Sequence, residues 1–311
     1  MIVLLAEPRG FCAGVERAIA IVEKALETFP PPIYVRHEIV HNRWVVESLR
    51  AKGAVFVHEL DEIPDGAVAI FSAHGVSKAV EAEGARRPLR ILDATCPLVS
   101  KVHREAERRD HDGRHVILIG HKGHPEVEGT MGQLPEGRMT VISRIEEIDA
   151  LPLDPATPTA YVTQTTLSMD ETAGVIEALK GRFPDILGPT REDICYATQN
   201  RQNAVKSLAE QCDLILVLGA PNSSNSNRLR EVAERCGTRA HLIESFRDVR
   251  EAWLEGVERL GVTAGASAPE ILIDALLEHL KDRIDRVETL AVSREHLAFP
   301  LPKELQDSGN S

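Results

Sequence analysis

Aromatic residues make up only 4% of the 311 positions, and no apolar run approaches the roughly 20 residues that a membrane-spanning helix needs. Met1 to Ala6 is apolar, but it is too short for the hydrophobic region of a secretory signal and lacks the basic flank. Basic charge is also in short supply. With 36 Lys and Arg against 48 Asp and Glu, the net charge is −12, which argues against non-specific attraction to nucleic acid or anionic membranes. Cysteine is limited to five, an odd number spread over a long chain, and paired C-x2-4-C knuckles are absent. These features speak against a disulfide framework and against a knuckle-type zinc site. The absences predict a cytoplasmic protein with reduced thiols that binds neither nucleic acid nor membrane.

What is present is ordinary globular composition, 43% hydrophobic and 27% charged, in a chain long enough for two or three domains. One pattern recurs along it: an apolar strand, a polar loop, and a helix with one apolar face. Asp93-Ala94-Thr95-Cys96-Pro97 follows the apolar run Leu89, Ile91, Leu92 and precedes a helix, so Cys96 is expected at a strand-to-helix junction with Pro97 in the first helical position. Unpaired helix amides and the positive end of the dipole favour a thiolate there. Cys12, in Pro8 to Gly14, and Cys195, in Asp193 to Thr198, occupy the same place in their own repeats. Cys212 and Cys236 continue apolar helix faces and read as core residues.

Strands alternating with helices imply α/β architecture with mostly parallel sheets, whose ligands bind beyond the carboxyl ends of the strands. Three similar domains in a pseudo-threefold trefoil would bring three cysteines and six polar loops to a central cavity. The tail after Pro300 is polar and is expected to fray.

Three thiolates fit either a zinc ion with one further ligand or an iron-sulfur cluster. With three cysteines on a [4Fe-4S] cube, one iron remains open as a Lewis acid. Gly123 to Gly129 is the most chemically loaded loop: His124 can donate to an anion, and Glu126, kept from water, can hold or relay a proton. A solvated acidic helix start explains the same residues equally well. His41 and His74 hold equivalent places in the first repeat. Ser223, Ser224, Asn225 and Ser267 are read at helix starts, where exposed amides bind phosphate, although the same residue types serve as N-caps. Thr165 and Thr166 follow a strand end and either bond a substrate hydroxyl or cap the next helix.

Taken together, Pro8-Arg9-Gly10-Phe11-Cys12-Ala13-Gly14-Val15, His37 to Asn42, Ala73 to Val76, Asp93 to Val99, Gly123 to Gly132, Gln164 to Ser168, Asp193 to Arg201, Ser223 to Leu229 and Val262 to Pro269 resemble, in order and over about residues 1 to 300, the 4-hydroxy-3-methylbut-2-enyl diphosphate reductases of LytB type. These are the last enzymes of the non-mevalonate isoprenoid pathway. The resemblance implies a monomeric trefoil with domains at 13–96, 97–192 and 193–285 plus 1–12, followed by a C-terminal strand and tail at 286–311. It implies one [4Fe-4S] cluster per chain on Cys12, Cys96 and Cys195, and reductive removal of an allylic hydroxyl to give isopentenyl and dimethylallyl diphosphates. His41, His74, His124, Ser223, Ser224, Asn225 and Ser267 would hold the diphosphate. Glu126 would supply protons, Thr165 would orient the substrate oxygen or its water, and Gln164, Thr166 and Thr198 would line the cavity. A reduced ferredoxin or flavodoxin-type donor would bring electrons. A redox-neutral iron-sulfur hydro-lyase and a non-catalytic sensor of a phosphometabolite are the competing readings.

Overall fold

The fold is described for residues 1–306 of a computed structural model. In chain order the elements are β1 (Ile2–Glu7), α1 (Ala13–Thr28), β2 (Ile33–Arg36), α2 (Arg43–Ala51), β3 (Ala54–Val57), β4 (Val68–Phe71), α3 (Lys78–Arg86), β5 (Arg90–Asp93), α4 (Pro97–His111), β6 (His115–Ile119), α5 (Pro125–Met131), β7 (Met139–Ile142), β8 (Thr159–Thr163), α6 (Met169–Arg182), α7 (Tyr196–Ala209), β9 (Leu214–Leu218), α8 (Ser224–Arg235), β10 (Arg239–Ile243), β11 (Arg259–Ala264), α9 (Ile271–Leu280) and β12 (Arg286–Ala291). They form three sheets, and every pairing between named strands is parallel. The chain divides into two compact units.

The first unit comprises Met1–Val15, His41–Val45 and Tyr196–Leu297. Its sheet has the order β10-β9-β11-β1-β12. β9 reads Leu-Ile-Leu-Val-Leu and is buried along its whole length, as expected for a parallel strand covered on both faces. Leu214, Leu216 and Leu218 pack toward Ile273, Leu276 and Leu280 of α9, while Ile215 and Val217 face Ala204, Val205 and Leu208 of α7 and Leu229 and Val232 of α8. The alternation of a strand's side chains thus serves two layers of helix. β1 lies between β11 and β12, so the first strand of the chain joins the last sheet.

The second unit comprises Glu16–Val40, Val46–Cys195 and Ala298–Ser311. It holds a four-stranded sheet, β3-β2-β4-β5, and a three-stranded sheet, β7-β6-β8. β5 ends at Asp93 and α4 begins at Pro97, with Cys96 in the N-cap position. Ahead of Cys195 the brief apolar run Ile186-Leu187 contributes only an isolated parallel bridge, Leu187 to Ala160. The tail departs from expectation as well. Leu305 is buried at 3% exposure, and Arg17 donates to the Pro300 carbonyl at 2.8 Å, so apolar burial and a charged hydrogen bond hold it through residue 306. The expectation of fraying for residues 307–311 lies outside the described residues. Among the described residues, no helix is long and apolar enough to cross a membrane.

Candidate functional site

The three cysteines that head helices share one local geometry. Cys12, Cys96 and Cys195 each stand immediately before the first helical residue, Ala13, Pro97 and Tyr196 respectively. Each backbone N–H reaches back to a carbonyl of a polar loop: Cys12 to Ala266 at 3.3 Å, Cys96 to Ala73 at 3.0 Å and Cys195 to Thr165 at 3.0 Å. None of the five cysteines is in a disulfide. The helix start does not make Cys12 a ready thiolate, however. Burial pushes its thiol up, and the opposing pull of Arg201 and of the Val15 and Gly14 amides is smaller. Of the two remaining cysteines, Cys212 packs against the α7 and α8 layer, where burial raises its thiol to about 11. Cys236 is exposed at the C-cap of α8, which corrects its reading as a core residue; the apolar face ends one turn earlier, at Val232 and Ala233.

In the second unit, α5 organises a set of buried and part-buried polar groups. His124 is its N-cap and accepts the Glu126 N–H at Nδ1, 3.1 Å away. That bond leaves the ring proton on Nε2, which suits donation to an anion. The His124 ring meets His74 edge-on, with centroids 5.7 Å apart, and Ser72 Oγ lies 3.2 Å from His74 Nδ1. Glu126 sits in the first turn of α5 and is 4% exposed, so the alternative of a solvated helix start is removed. Its Oε1 accepts the Thr165 N–H at 2.6 Å and its Oε2 the Thr165 hydroxyl at 3.1 Å. Burial nevertheless raises its pKa to about 7, against the lowering effect of both Thr165 bonds and with a further push from Asp193. Gln164 accepts the His121 N–H at 3.0 Å and donates to Thr166 Oγ1 at 3.1 Å. Its amide oxygen therefore ties the loop after β8 to the loop after β6, while its amide nitrogen bonds within its own loop.

In the first unit, Ser223 is the N-cap of α8 and accepts from the Ser226 N–H at 3.3 Å, with Ser224 and Asn225 in the opening turn. Asn225 Oδ1 accepts the Ala266 N–H at 2.9 Å, while its amide nitrogen lies 3.5 Å from Thr198 Oγ1. Ser267 lies in the polar loop after β11, ahead of α9. Its hydroxyl donates to the His41 carbonyl at 2.9 Å, and Asn222 Nδ2 approaches His41 Nδ1 at 3.3 Å.

Sequence reasoning does not single out Arg17, Lys101, Arg201 or Asp193 for a role. Asp193 is buried, accepts the Thr163 N–H at 3.0 Å and meets Lys101 Nζ at 3.1 Å. The available signal is a basic residue in the second turn of each cysteine-headed helix. Among the described residues, no group of three or more His, Cys, Asp or Glu side chains is placed to hold a metal ion.

The model of the family described as LytB protein matches residues 3–281. The 4-hydroxy-3-methylbut-2-enyl diphosphate reductase of Magnetococcus marinus is 72% identical over 99% of this chain and 100% of its own. The enzyme of that name from Pseudomonas savastanoi pv. phaseolicola is 57% identical over 98% of each. Among solved structures, the E-1-hydroxy-2-methyl-but-2-enyl-4-diphosphate reductase of Plasmodium falciparum superposes with a TM-score of 0.94 at 37% identity, covering 98% of this chain and 96% of its own. A structure of (E)-4-hydroxy-3-methyl-but-2-enyl diphosphate reductase, described as the terminal enzyme of the non-mevalonate pathway, gives a TM-score of 0.65 at 31% identity over 90% of this chain and 99% of its own.

Proposed function

The chain belongs to the LytB protein family, and from that premise we propose that it reduces (E)-4-hydroxy-3-methylbut-2-enyl diphosphate to isopentenyl and dimethylallyl diphosphates. The allylic C–O bond breaks, two electrons and two protons enter, and the hydroxyl leaves as water. Beyond family membership, the observation that carries this reading is Glu126: a buried carboxyl with a pKa near 7 still holds a proton at neutral pH, as a general acid for a leaving hydroxyl must.

Cys12, Cys96 and Cys195 are assigned to one [4Fe-4S] cluster. The donor set fits that group: three thiols stand at three equivalent helix starts, where backbone N–H donors can stabilise a metal-bound sulfur. When bound, the cluster supplies the electrons and a Lewis-acid position for the departing hydroxyl. The chain's own residues do the remainder. His41, His74, His124, Ser223, Ser224, Asn225 and Ser267 bind the diphosphate, and that binding energy fixes the reacting end. Glu126 delivers a proton from Oε2, whose partner, the Thr165 hydroxyl, can turn to accept when that oxygen is protonated, whereas the Thr165 N–H at Oε1 can only donate. Thr165 orients the substrate oxygen or its water; Gln164, Thr166 and Thr198 shape the cavity. A reduced ferredoxin or flavodoxin-type protein is the electron partner, and the reaction is placed in the cytoplasm, on a monomer. The same reading divides the chain into domains at 13–96, 97–192 and 193–285 with 1–12, ahead of a strand and tail at 286–311.

The test is anaerobic turnover of the diphosphate substrate with and without a low-potential reductant. Strict dependence on reductant is the expected result. Turnover without electrons would assign the protein to the redox-neutral hydro-lyases, and ligand binding with no turnover to the sensors.

A further inference from the structure

Each cysteine-headed helix carries a basic residue in its second turn: Arg17 on α1, Lys101 on α4 and Arg201 on α7. In every case the charged head group grips the chain just ahead of a different cysteine. Arg17 donates to the carbonyls of Thr95 at 3.1 Å and Asp93 at 3.4 Å, on the approach to Cys96. Lys101 Nζ donates to the carbonyls of Arg191 and Glu192, both at 2.6 Å, and to Asp193 Oδ1 at 3.1 Å, on the approach to Cys195. Those three bonds engage every N–H of the ammonium. Arg201 donates to the Gly10 carbonyl from Nε at 3.1 Å and from Nη2 at 2.8 Å, and to Phe11 at 3.2 Å, on the approach to Cys12. The connectivity closes on itself: the helix after Cys12 holds the approach to Cys96, the helix after Cys96 that to Cys195, and the helix after Cys195 that to Cys12.

One such contact would be ordinary helix-to-loop bridging. Three, from the same turn onto the same relative segment, are not explained by packing, because the sheets and loops they join differ in strand number and sequence. Ordering a long basic side chain costs rotamer freedom, and bonds from a charged donor offset that only where the acceptors are held in place. Two of the cations also meet a carboxylate. Arg201, with a side chain 1% exposed, pairs with Glu295 at 3.0 Å, and Lys101 pairs with Asp193.

We propose that Arg17, Lys101 and Arg201 are positioning residues forming a cyclic set of clamps, each fixing the segment that presents one cluster ligand and balancing the charge beside it. The proposal rests on the assignment of Cys12, Cys96 and Cys195 to an iron-sulfur cluster. Hydrogen bonding and net charge around such a cluster set both its retention and its reduction potential.

Lys101 is the residue to test, because its side chain is part-exposed and Lys101→Met keeps its length. In anaerobically reconstituted protein, Lys101→Met is expected to lose iron to a chelator at least about tenfold faster than the parent, and its one-electron reduction equilibrium is expected to shift about tenfold toward the oxidised form, 59 mV more negative. Lys101→Arg, which restores charge and donors, is expected to recover most of both. In the metal-free protein, hydrogen exchange of the peptide spanning 190–196 is expected to quicken at least about tenfold in Lys101→Met, with β9 unchanged. Iron release and reduction equilibrium both within about twofold of the parent, or unchanged exchange at 190–196, would overturn the clamp. Lys101→Met strands the buried Asp193 and Arg201→Met strands the part-buried Glu295, so Lys101→Met/Asp193→Asn and Arg201→Met/Glu295→Gln repeat each comparison without an orphaned carboxylate, and the same exchange and iron-release changes are expected in them. A parent protein that takes up no iron or sulfide overturns the cluster assignment itself, and the exchange comparison then still decides whether the clamp exists.

Discussion

Thr165 holds both oxygens of the Glu126 carboxyl, its N–H donating to Oε1 at 2.6 Å and its hydroxyl lying 3.1 Å from Oε2. The N–H bond favours the ionised acid; burial opposes it and wins. The hydroxyl is therefore the adjustable partner. Thr165→Ala keeps the N–H and removes the hydroxyl. Because the hydroxyl lowers the Glu126 pKa, its loss is expected to move the ionisation upward and to cost about tenfold in kcat, the scale of one hydrogen bond to a charged or ionising group. A kcat–pH profile that matches the parent in height and position would show that the hydroxyl takes no part.

The pH dependence follows from the same carboxyl. If protonated Glu126 is the proton donor, kcat is level below pH about 7 and falls tenfold per unit above it. Glu126→Gln is expected to remove that limb and to lower kcat by at least about 100-fold while substrate still binds. Stability provides a second measurement. The folded pKa lies above the ordinary value of 4.5, so the contribution of Glu126 is fully present below pH 4.5 and is lost as pH rises through about 7. The thermal midpoint of metal-free Glu126→Gln should therefore gain on the parent between pH 5 and pH 8.

Much of the architecture is visible in the sequence because the alternating units carry strong local signals. The Leu214 to Leu218 run is an unbroken buried strand, and Pro97 opens a helix just after Cys96. The position of β1 between β11 and β12 is a non-local pairing that periodicity does not encode. The site residues are visible as types in loops, but their partners are not. That Glu126 faces Thr165 depends on the side-by-side pairing of β6 with β8, and spacing in the chain says nothing of it. The contacts of the three basic clamp residues are not visible in the sequence either, since most of their acceptors are backbone carbonyls, which leave no mark there. Cys236 shows the reverse error, an apolar periodicity followed one turn too far.

The cysteines divide into two classes with different expected behaviour. Cys12→Ser, Cys96→Ser and Cys195→Ser should each abolish the visible absorption of the reconstituted cluster and its stoichiometric iron and sulfide. Cys236→Ser alters an exposed C-cap and should leave cluster and stability unchanged. Cys212→Ser places a hydroxyl against an apolar layer and should cost about 1–3 kcal/mol in unfolding free energy with the cluster retained. A normal cluster in any of the first three contradicts the ligand assignment.

Gly75 follows His74 and has φ +78, a conformation that side-chain-bearing residues rarely adopt. A Cβ there would also lie 2.8 Å from His103 Cε1 and 3.2 Å from Thr95 Cγ2. His103 cannot easily give way. It is buried on α4, and burial lowers its pKa to about 4, so it sits in the packing as a neutral ring. Gly75→Ala is expected to destabilise the protein by about 2–4 kcal/mol, combining left-handed strain with overpacking. Urea unfolding checks this through a lower midpoint at unchanged slope. Because the displaced backbone carries His74, KM for the diphosphate should rise more than kcat falls. The double variant Gly75→Ala/His103→Ala separates the two causes: it relieves the clash and leaves the φ strain, so it should be less destabilised than the sum of the single variants. Strict additivity would mean that the His103 contact contributes nothing to the cost.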